Sequence, residues 1–380
     1  MAAKNKENTQ ETGFYDERDT FLSRAALVPG TREYEEYYAK HPEWEEMDNE
    51  LKTYSKDQVS HERRLKRFPK KQIPEAWVRS PERFIMSILL REAVDGPVRH
   101  EKVEVDPSEI TWKIKGFAKY LGAGIVGVAS LKRAWVYSHG GNLNVGNWGK
   151  PIKEHGKYAI VMGFPQDWDL WLASGQNGIA ATMDTAHYYN LMAAAAVRLA
   201  ASIRSMGYAA RAQISTNYTC VLPPLAVDAG LGEQCLVGIC LTRKYGLAYR
   251  LCAVTTDLPL VPDSPVNLGI EDFCSKCTKC ADACPVGAIS SREKIGTNGI
   301  RRWKQDLYKC LRYWNAIGAS CTLCRRACPW SKPQTLLHKS VANLAIHAPF
   351  LRSLLIRADD LFYGKQPKYY SPPDWLRGED

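Results

Sequence analysis

Cys274-Ser275-Lys276-Cys277-Thr278-Lys279-Cys280-Ala281-Asp282-Ala283-Cys284-Pro285 is followed by a second run, Cys310-x10-Cys321-x2-Cys324-x3-Cys328-Pro329. Together they hold eight of the twelve cysteines. The first run has the spacing of bacterial ferredoxins, in which three thiolates hold one [4Fe–4S] cluster and the fourth holds the other. The reading is therefore two [4Fe–4S] clusters. Cys274, Cys277, Cys280 and Cys328 hold one, and Cys284, Cys310, Cys321 and Cys324 hold the second. Disulfides are a poor alternative, because C-x2-C pairs at this density suit metals better than loop closure. Zinc sites rarely interlock two such runs, each ending in C-x3-C-P.

The chain has 380 residues, enough for two domains or one large domain with an appendage. It is 45% hydrophobic and 24% charged, an ordinary globular balance, so the clusters need not hold the whole fold together. The net charge of +10 points to an anionic membrane surface, nucleic acid or an acidic redox partner. Arg63, Arg64, Lys66, Arg67, Lys70 and Lys71 concentrate part of it in what reads as a solvated linker. No apolar stretch has membrane-spanning length, and the polar start of the chain lacks an apolar signal core. The expected location is the cytoplasm. The alternative is an exported, membrane-associated chain whose signal is absent from this sequence.

Working outward, residues 1–106 read as short helices and loops that pack on a core. Glu33 to Leu51 is expected to form one surface helix, and Ser80-Pro81-Glu82 to cap another. Asp106-Pro107-Ser108-Glu109 opens a helix to Leu121. Ile125–Val128 and Tyr158–Gly163 read as buried strands, and Thr185–Met206 as a long Ala-rich helix. Val237–Thr242 and Leu251–Thr256 are expected to pair across a turn at Lys244–Gly246. The expected division is an α/β (α+β) domain over 107–262, a ferredoxin-like domain over 263–335, and an extension over 336–380 that turns from helical to extended near Asp360–Lys365.

Three patterns are weighed and set aside. Gly122-x-Gly124-x-x-Gly127 follows a helix and enters a strand, the reverse of a dinucleotide fingerprint. Asp184-x-x-His187 invites a metal reading, but a histidine there more often caps or packs. Cys220, Cys235, Cys240 and Cys252 lack metal spacing and read as small buried apolar groups.

Upstream of the clusters, several segments resemble the corrinoid-dependent reductive dehalogenases in order. These are Gly230-Leu231-Gly232-Glu233, Leu241-Thr242, Tyr249-Arg250-Leu251 and Val254-Thr255-Thr256-Asp257-Leu258-Pro259-Leu260. Gly299-Ile300-Arg301-Arg302-Trp303, the shortened second cysteine run and Asp359-Asp360-Leu361-Phe362-Tyr363-Gly364-Lys365 continue it, so that 107–380 is covered. The epoxyqueuosine reductases share part of the pattern.

The resemblance implies a nitroreductase-like domain holding a base-off cobalamin, with Gly232 and Thr242 among its contacts. No D-x-H-x-x-G motif is present, so no protein histidine need ligate cobalt. The implied reaction is reductive dehalogenation of a small organohalide, with electrons relayed by the clusters from an external low-potential donor. Tyr189 matches the family's proton donor, nineteen residues before Tyr208 in Arg204-x-x-Gly207-Tyr208. A phenol, with a pKa of about 10, donates more readily beside a cation. Arg250 matches that cation, and Asn217 matches the amide that orients it. The gap from Tyr208 to Asn217 is two residues longer than the family pattern, which leaves Ser215 as an alternative. Leu236 stands where many relatives have Arg. Thr185 lies one helical turn before Tyr189, and Tyr313 and Trp314 are expected to wall the apolar pocket from a loop between Cys310 and Cys321.

The family's exported members use a membrane partner, which this sequence leaves open, and no nucleic-acid partner is expected. Two rivals stand. One is an epoxyqueuosine reductase-like tRNA-modifying enzyme, whose proton-donating Asp has no counterpart in Ser215-Thr216-Asn217. The other is a non-catalytic iron–sulfur electron carrier.

Overall fold

The computed structural model describes residues 15–53, 85–153, 156–174, 178–297, 300–317, 320–368 and 370–377. The basic run at 63–71 and the Ser80 cap lie outside them. The longer elements are α1 (Arg32–Tyr38), α2 (Pro42–Thr53), α3 (Pro107–Tyr120), β1 (Ile125–Ser130), β2 (Tyr158–Pro165), α4 (Gly178–Ser205), β3 (Ala210–Gln213), α5 (Leu222–Asp228), β4 (Gly232–Gln234), β5 (Cys240–Thr242), β6 (Tyr249–Thr256), α6 (Ile270–Cys277), β7 (Ile289–Thr297), β8 (Ile300–Gln305), α7 (Leu307–Ile317), α8 (Leu336–His347) and α9 (Arg352–Tyr363).

The core is a four-stranded sheet in the order β1-β2-β6-β3, antiparallel throughout, so the domain is α+β. Its central strands β2 and β6 read as near-continuous apolar runs because both faces are covered. Ile160, Met162, Phe164, Cys252 and Val254 meet α3 and α4 on one face, and Ala159, Val161 and Ala253 meet α5 on the other. The Ala-rich stripe of α4, including Ala193, Ala196 and Ala200, is fully buried against this sheet, where small side chains allow close approach. Asp106 caps α3 as expected, its carboxylate accepting the Glu109 N–H at 2.8 Å.

The rejected glycine pattern has a packing cause. A Cβ at Gly127 would collide with the Ala229 carbonyl, where the end of α5 crosses β1.

Four expectations are corrected. Glu33–Leu51 is two helices, because the residue before a proline is pushed out of helical geometry and Pro42 starts anew. It is no mere surface element either, since Tyr34, Tyr37, Tyr38 and Leu51 are buried. The expected hairpin does not form: β5 pairs with β4, while β6 lies between β2 and β3. An eight-residue buried strand needs a partner on each edge, and three-residue β5 cannot serve. The 310–321 connection is largely helix, since Leu307, Cys310, Leu311 and Trp314 repeat at helical spacing. Asp360–Tyr363 ends α9 rather than running extended.

Among the described residues, no helix is long and apolar enough to cross a membrane.

Candidate functional site

The eight cluster cysteines are free thiols, and they segregate into two groups. Cys280 lies in the electrostatic field of Cys328 and Cys274, and Cys328 in that of Cys274 and Cys277. Cys321 faces Cys324, Cys310 and Cys284, and Cys310 faces Cys324 and Cys284. Cys328 thus lies near the first run and Cys284 near the second, and Cys235 also lies beside Cys280 and Cys328. Cys280 also senses Cys324, as neighbouring clusters require.

Burial pushes the thiols of Cys274 and Cys324 up to about 11, and those of Cys277 and Cys310 up to about 12. An iron cluster supplies the positive charge that such thiolates need. Backbone N–H groups already point at the sulfurs. Leu236 donates to Cys274, Trp330 to Cys328, and Ala288 to Cys284 at 3.1 Å. Leu236 thus serves the first cluster through its backbone. Among the described residues no three ligating side chains converge on a single ion. A four-iron cube needs a wider cage.

A second constellation lies where α4 crosses β6. Arg250, on β6, sets its guanidinium 4.9 Å from the Tyr189 ring centroid and 3.4 Å from its hydroxyl. The same guanidinium donates to Thr185 Oγ1 at 2.8 Å and to Asp184 Oδ2 at 3.3 Å. Thr185 and Tyr189, four residues apart on α4, therefore present one face to one cation. The Asp184 carboxyl is buried and held above the usual range, because desolvation outweighs the pull of Arg250 and then Arg325.

The constellation continues to the second cluster. Gln166 donates to Asp184 and accepts from Arg325 at 2.5 Å. Arg325 also donates to the carbonyls of Leu247 and Tyr249, and it follows the ligand Cys324 in sequence. Burial, with the charge of Arg250, draws Arg325 down to about 10. A hydrogen-bonded chain thus runs Arg325–Gln166–Asp184–Arg250–Tyr189. Tyr218 faces Tyr189, and burial raises its phenol.

The other expected residues are distributed around this centre. Asn217 is buried, accepting from Arg211 at 2.6 Å and donating to the Arg91 carbonyl at 2.9 Å. These contacts turn its amide toward Arg211. Ser215 and Thr216 meet the Ser87 hydroxyl at 2.9 and 3.1 Å. Gly232 and Thr242 face each other across β4 and β5, and the Thr242 hydroxyl accepts the Tyr245 N–H at 3.1 Å. Tyr313 and Trp314 sit on α7, buried and half-buried.

Asp184, Gln166, Arg325 and Tyr218 were not among the expected residues. Asp184 carries a signal in the sequence, an acid inside an Ala-rich helix, and it is buried while His187 of the same motif is exposed.

Among the described residues, Arg250 Nε and Asp184 Oδ1 are buried and have no hydrogen-bond partner, and the same holds for Trp314 Nε1 on α7. Buried polar atoms are rarely left so. Arg250 Nε and Asp184 Oδ1 offer a donor and an acceptor to a ligand with a polar edge.

Residues 273–332 match the 4Fe-4S dicluster domain, so the chain carries two such clusters. It is 33% identical over 293 residues to the tetrachloroethene reductive dehalogenase of Sulfurospirillum multivorans, covering 68% of this chain and 58% of that protein. A solved catabolic reductive dehalogenase superposes with a TM-score of 0.68 at 30% identity, over 75% of this chain and 42% of that one. Another reductive dehalogenase structure, described as suggesting a mechanism for B12-dependent dehalogenation, gives 0.68 at 29%, over 76% and 42%. The chain spans little more than half the length of the curated relative.

Proposed function

We propose that this chain, a homologue of the reductive dehalogenases with the epoxyqueuosine reductases as more distant relatives, reductively cleaves a carbon–halogen bond. The reaction is R–X plus two electrons and one proton, giving R–H and X⁻. The observation that carries the reading is the Arg250 guanidinium lying on both the ring and the hydroxyl of Tyr189.

Tyr189 donates the proton to the carbon that loses halide. The nearby cation stabilises the phenolate left behind and so lowers the barrier to donation. Asp184 and Thr185 fix Arg250 from its other side, and Gln166 and Arg325 fix Asp184 in turn. Asn217 holds Arg211 and the Arg91 carbonyl in place beside this site.

Arg250 Nε and Asp184 Oδ1, which have no partner among the described residues, fit a cofactor with polar edges. Cobalamin is the cofactor we assign, with Gly232 and Thr242 among its contacts and Thr185, Tyr313 and Trp314 bordering the substrate. When bound, it would supply the strongly reducing cobalt centre that breaks the carbon–halogen bond. The dicluster domain delivers the two electrons one at a time. The domain limits 1–106, 107–262, 263–335 and 336–380 belong to the same proposal.

The epoxyqueuosine reading is disfavoured at one place. Residues 215–217 offer no carboxyl, and the Ser215 and Thr216 hydroxyls are engaged with Ser87.

The test is an anaerobic halide-release screen with chlorinated and brominated aromatics and alkenes. It uses cobalamin-reconstituted protein and a reduced dye. Release of one halide per two electrons supports the proposal, and dye-reduced clusters without halide from any substrate would overturn it.

A further inference from the structure

A groove of about 420 Å³ lies between α8 and α9, away from Tyr189. Its lining includes Phe273, next to Cys274 in sequence, and Pro329 and Trp330, which follow Cys328. The Phe273 and Trp330 rings meet edge-on at 5.5 Å, in one apolar cluster with Cys274, Cys277, Cys280 and Cys328. Leu355 and Ala342, from the groove's two helices, pack into that same cluster. The two iron–sulfur centres therefore face different ways. The Cys324 cluster adjoins the Arg325–Asp184–Arg250 chain, and the Cys274 cluster adjoins the groove.

The groove is apolar inside and basic at its rim. Leu337 and Phe362 keep 68% and 72% of their surface exposed. Its carboxylate, Asp359, is neutralised by Lys279 and by Lys332, the latter at 2.8 Å. Arg243 and Lys339 stand exposed on the rim. Of the groove's lining residues, three are basic (Arg243, Lys332, Lys339) and one is acidic (Asp359).

We propose that this groove is the electron-entry site and that its partner is a small acidic one-electron carrier protein. The carrier inserts an apolar loop bearing its redox group toward Phe273 and Trp330. In each encounter the carrier is oxidised by one electron and the Cys274 cluster is reduced by one, with no bond made or broken, so two encounters supply one turnover. An apolar centre ringed by charge suits such an exchange, since charge steers encounter and a small interface lets the spent carrier leave. A flat membrane would not fill a concave floor lying against a cluster. The inference needs the clusters, not an organohalide.

The test is stopped-flow reduction of the iron–sulfur-reconstituted full chain, read as bleaching of cluster absorbance. The reductants are flavodoxin hydroquinone, an acidic carrier, and the cationic methyl viologen radical. We expect the flavodoxin rate to fall steeply with salt. It should drop about tenfold in Arg243→Glu/Lys339→Glu, since rim charges act mainly on the association rate. Leu337→Ser/Phe362→Ser should also slow it, while the viologen rate stays within about twofold in every variant. All four side chains are exposed, so folding is not at stake. Flavodoxin rates insensitive to salt and to both variants would overturn the proposal. So would an equal loss with both reductants, groove-dependent pelleting with anionic vesicles in place of rate effects, or dimerisation of this chain through the groove.

Discussion

Arg250 lies 4.9 Å from the Tyr189 ring centroid and 3.3 Å from the Asp184 carboxylate, so one guanidinium joins the proposed proton donor to a buried acid. Asp184 pairs with that cation and fixes its place beside the phenol.

Removing the acid should loosen Arg250. In Asp184→Asn the guanidinium loses its charged partner and is held less firmly against Tyr189. We expect kcat to fall more than KM rises, with cluster spectra unchanged, and Asp184→Glu to restore part of kcat. Wild-type kcat in Asp184→Asn would remove Asp184 from the positioning of Arg250.

Arg250→Lys keeps a charge but cannot reach Tyr189, Thr185 and Asp184 with one planar fork. We expect turnover to fall about 10²-fold or more, within the range for disturbing general acid catalysis. Cluster spectra should be unchanged.

The exchanged ligands predict a cross-run pattern. Cys328→Ala and Cys274→Ala should perturb the same EPR signal, and Cys324→Ala and Cys284→Ala the other. If Cys328→Ala instead perturbed the signal lost in Cys324→Ala, each run would hold its own cluster.

Glu17 offers a pH test away from the chemistry. Burial raises its carboxyl to about 7 from 4.5, although it accepts the Gly141 N–H at 2.7 Å. Between those values the folded state binds more protons than the unfolded one, so stability is fullest below about 4.5 and falls as pH rises through about 7. At 1.36 kcal/mol per unit the loss is about 3 kcal/mol. Urea unfolding of wild type and Glu17→Gln at pH 5 and pH 8 should show the variant gaining stability relative to wild type at the higher pH. Parallel behaviour would contradict it.

How much of this was legible depends on how local each signal is. Cys274 to Cys328 was readable because ligand spacing is a chain-local constraint that iron enforces. Asp106-Pro107 announced α3 because a cap is made by neighbours in sequence. The partner of β6 was not legible: Leu251–Thr256 is apolar enough to pair with anything, and only the whole sheet selects β2 and β3. Tyr189 and Arg250 were named through family resemblance and Thr185 through helical spacing from Tyr189, and the fold brings them together. Asp184 was passed over because a helix-embedded acid gains meaning only from Arg250, sixty-six residues away. The groove between α8 and α9 could not be read at all, since Leu337 and Phe362 look like any core positions until the helices are placed.

The proton donor is the central claim, and one measurement reaches it directly. Wild type and Tyr189→Phe, both reconstituted with iron–sulfur clusters and cobalamin, are given reduced dye and an organohalide that the wild type turns over. Halide and dehalogenated product are then quantified in deuterated and ordinary water. The account predicts halide and deuterium-labelled product from wild type, with turnover down about 10²–10⁴-fold in the variant while its clusters still reduce. Full turnover by Tyr189→Phe would contradict it.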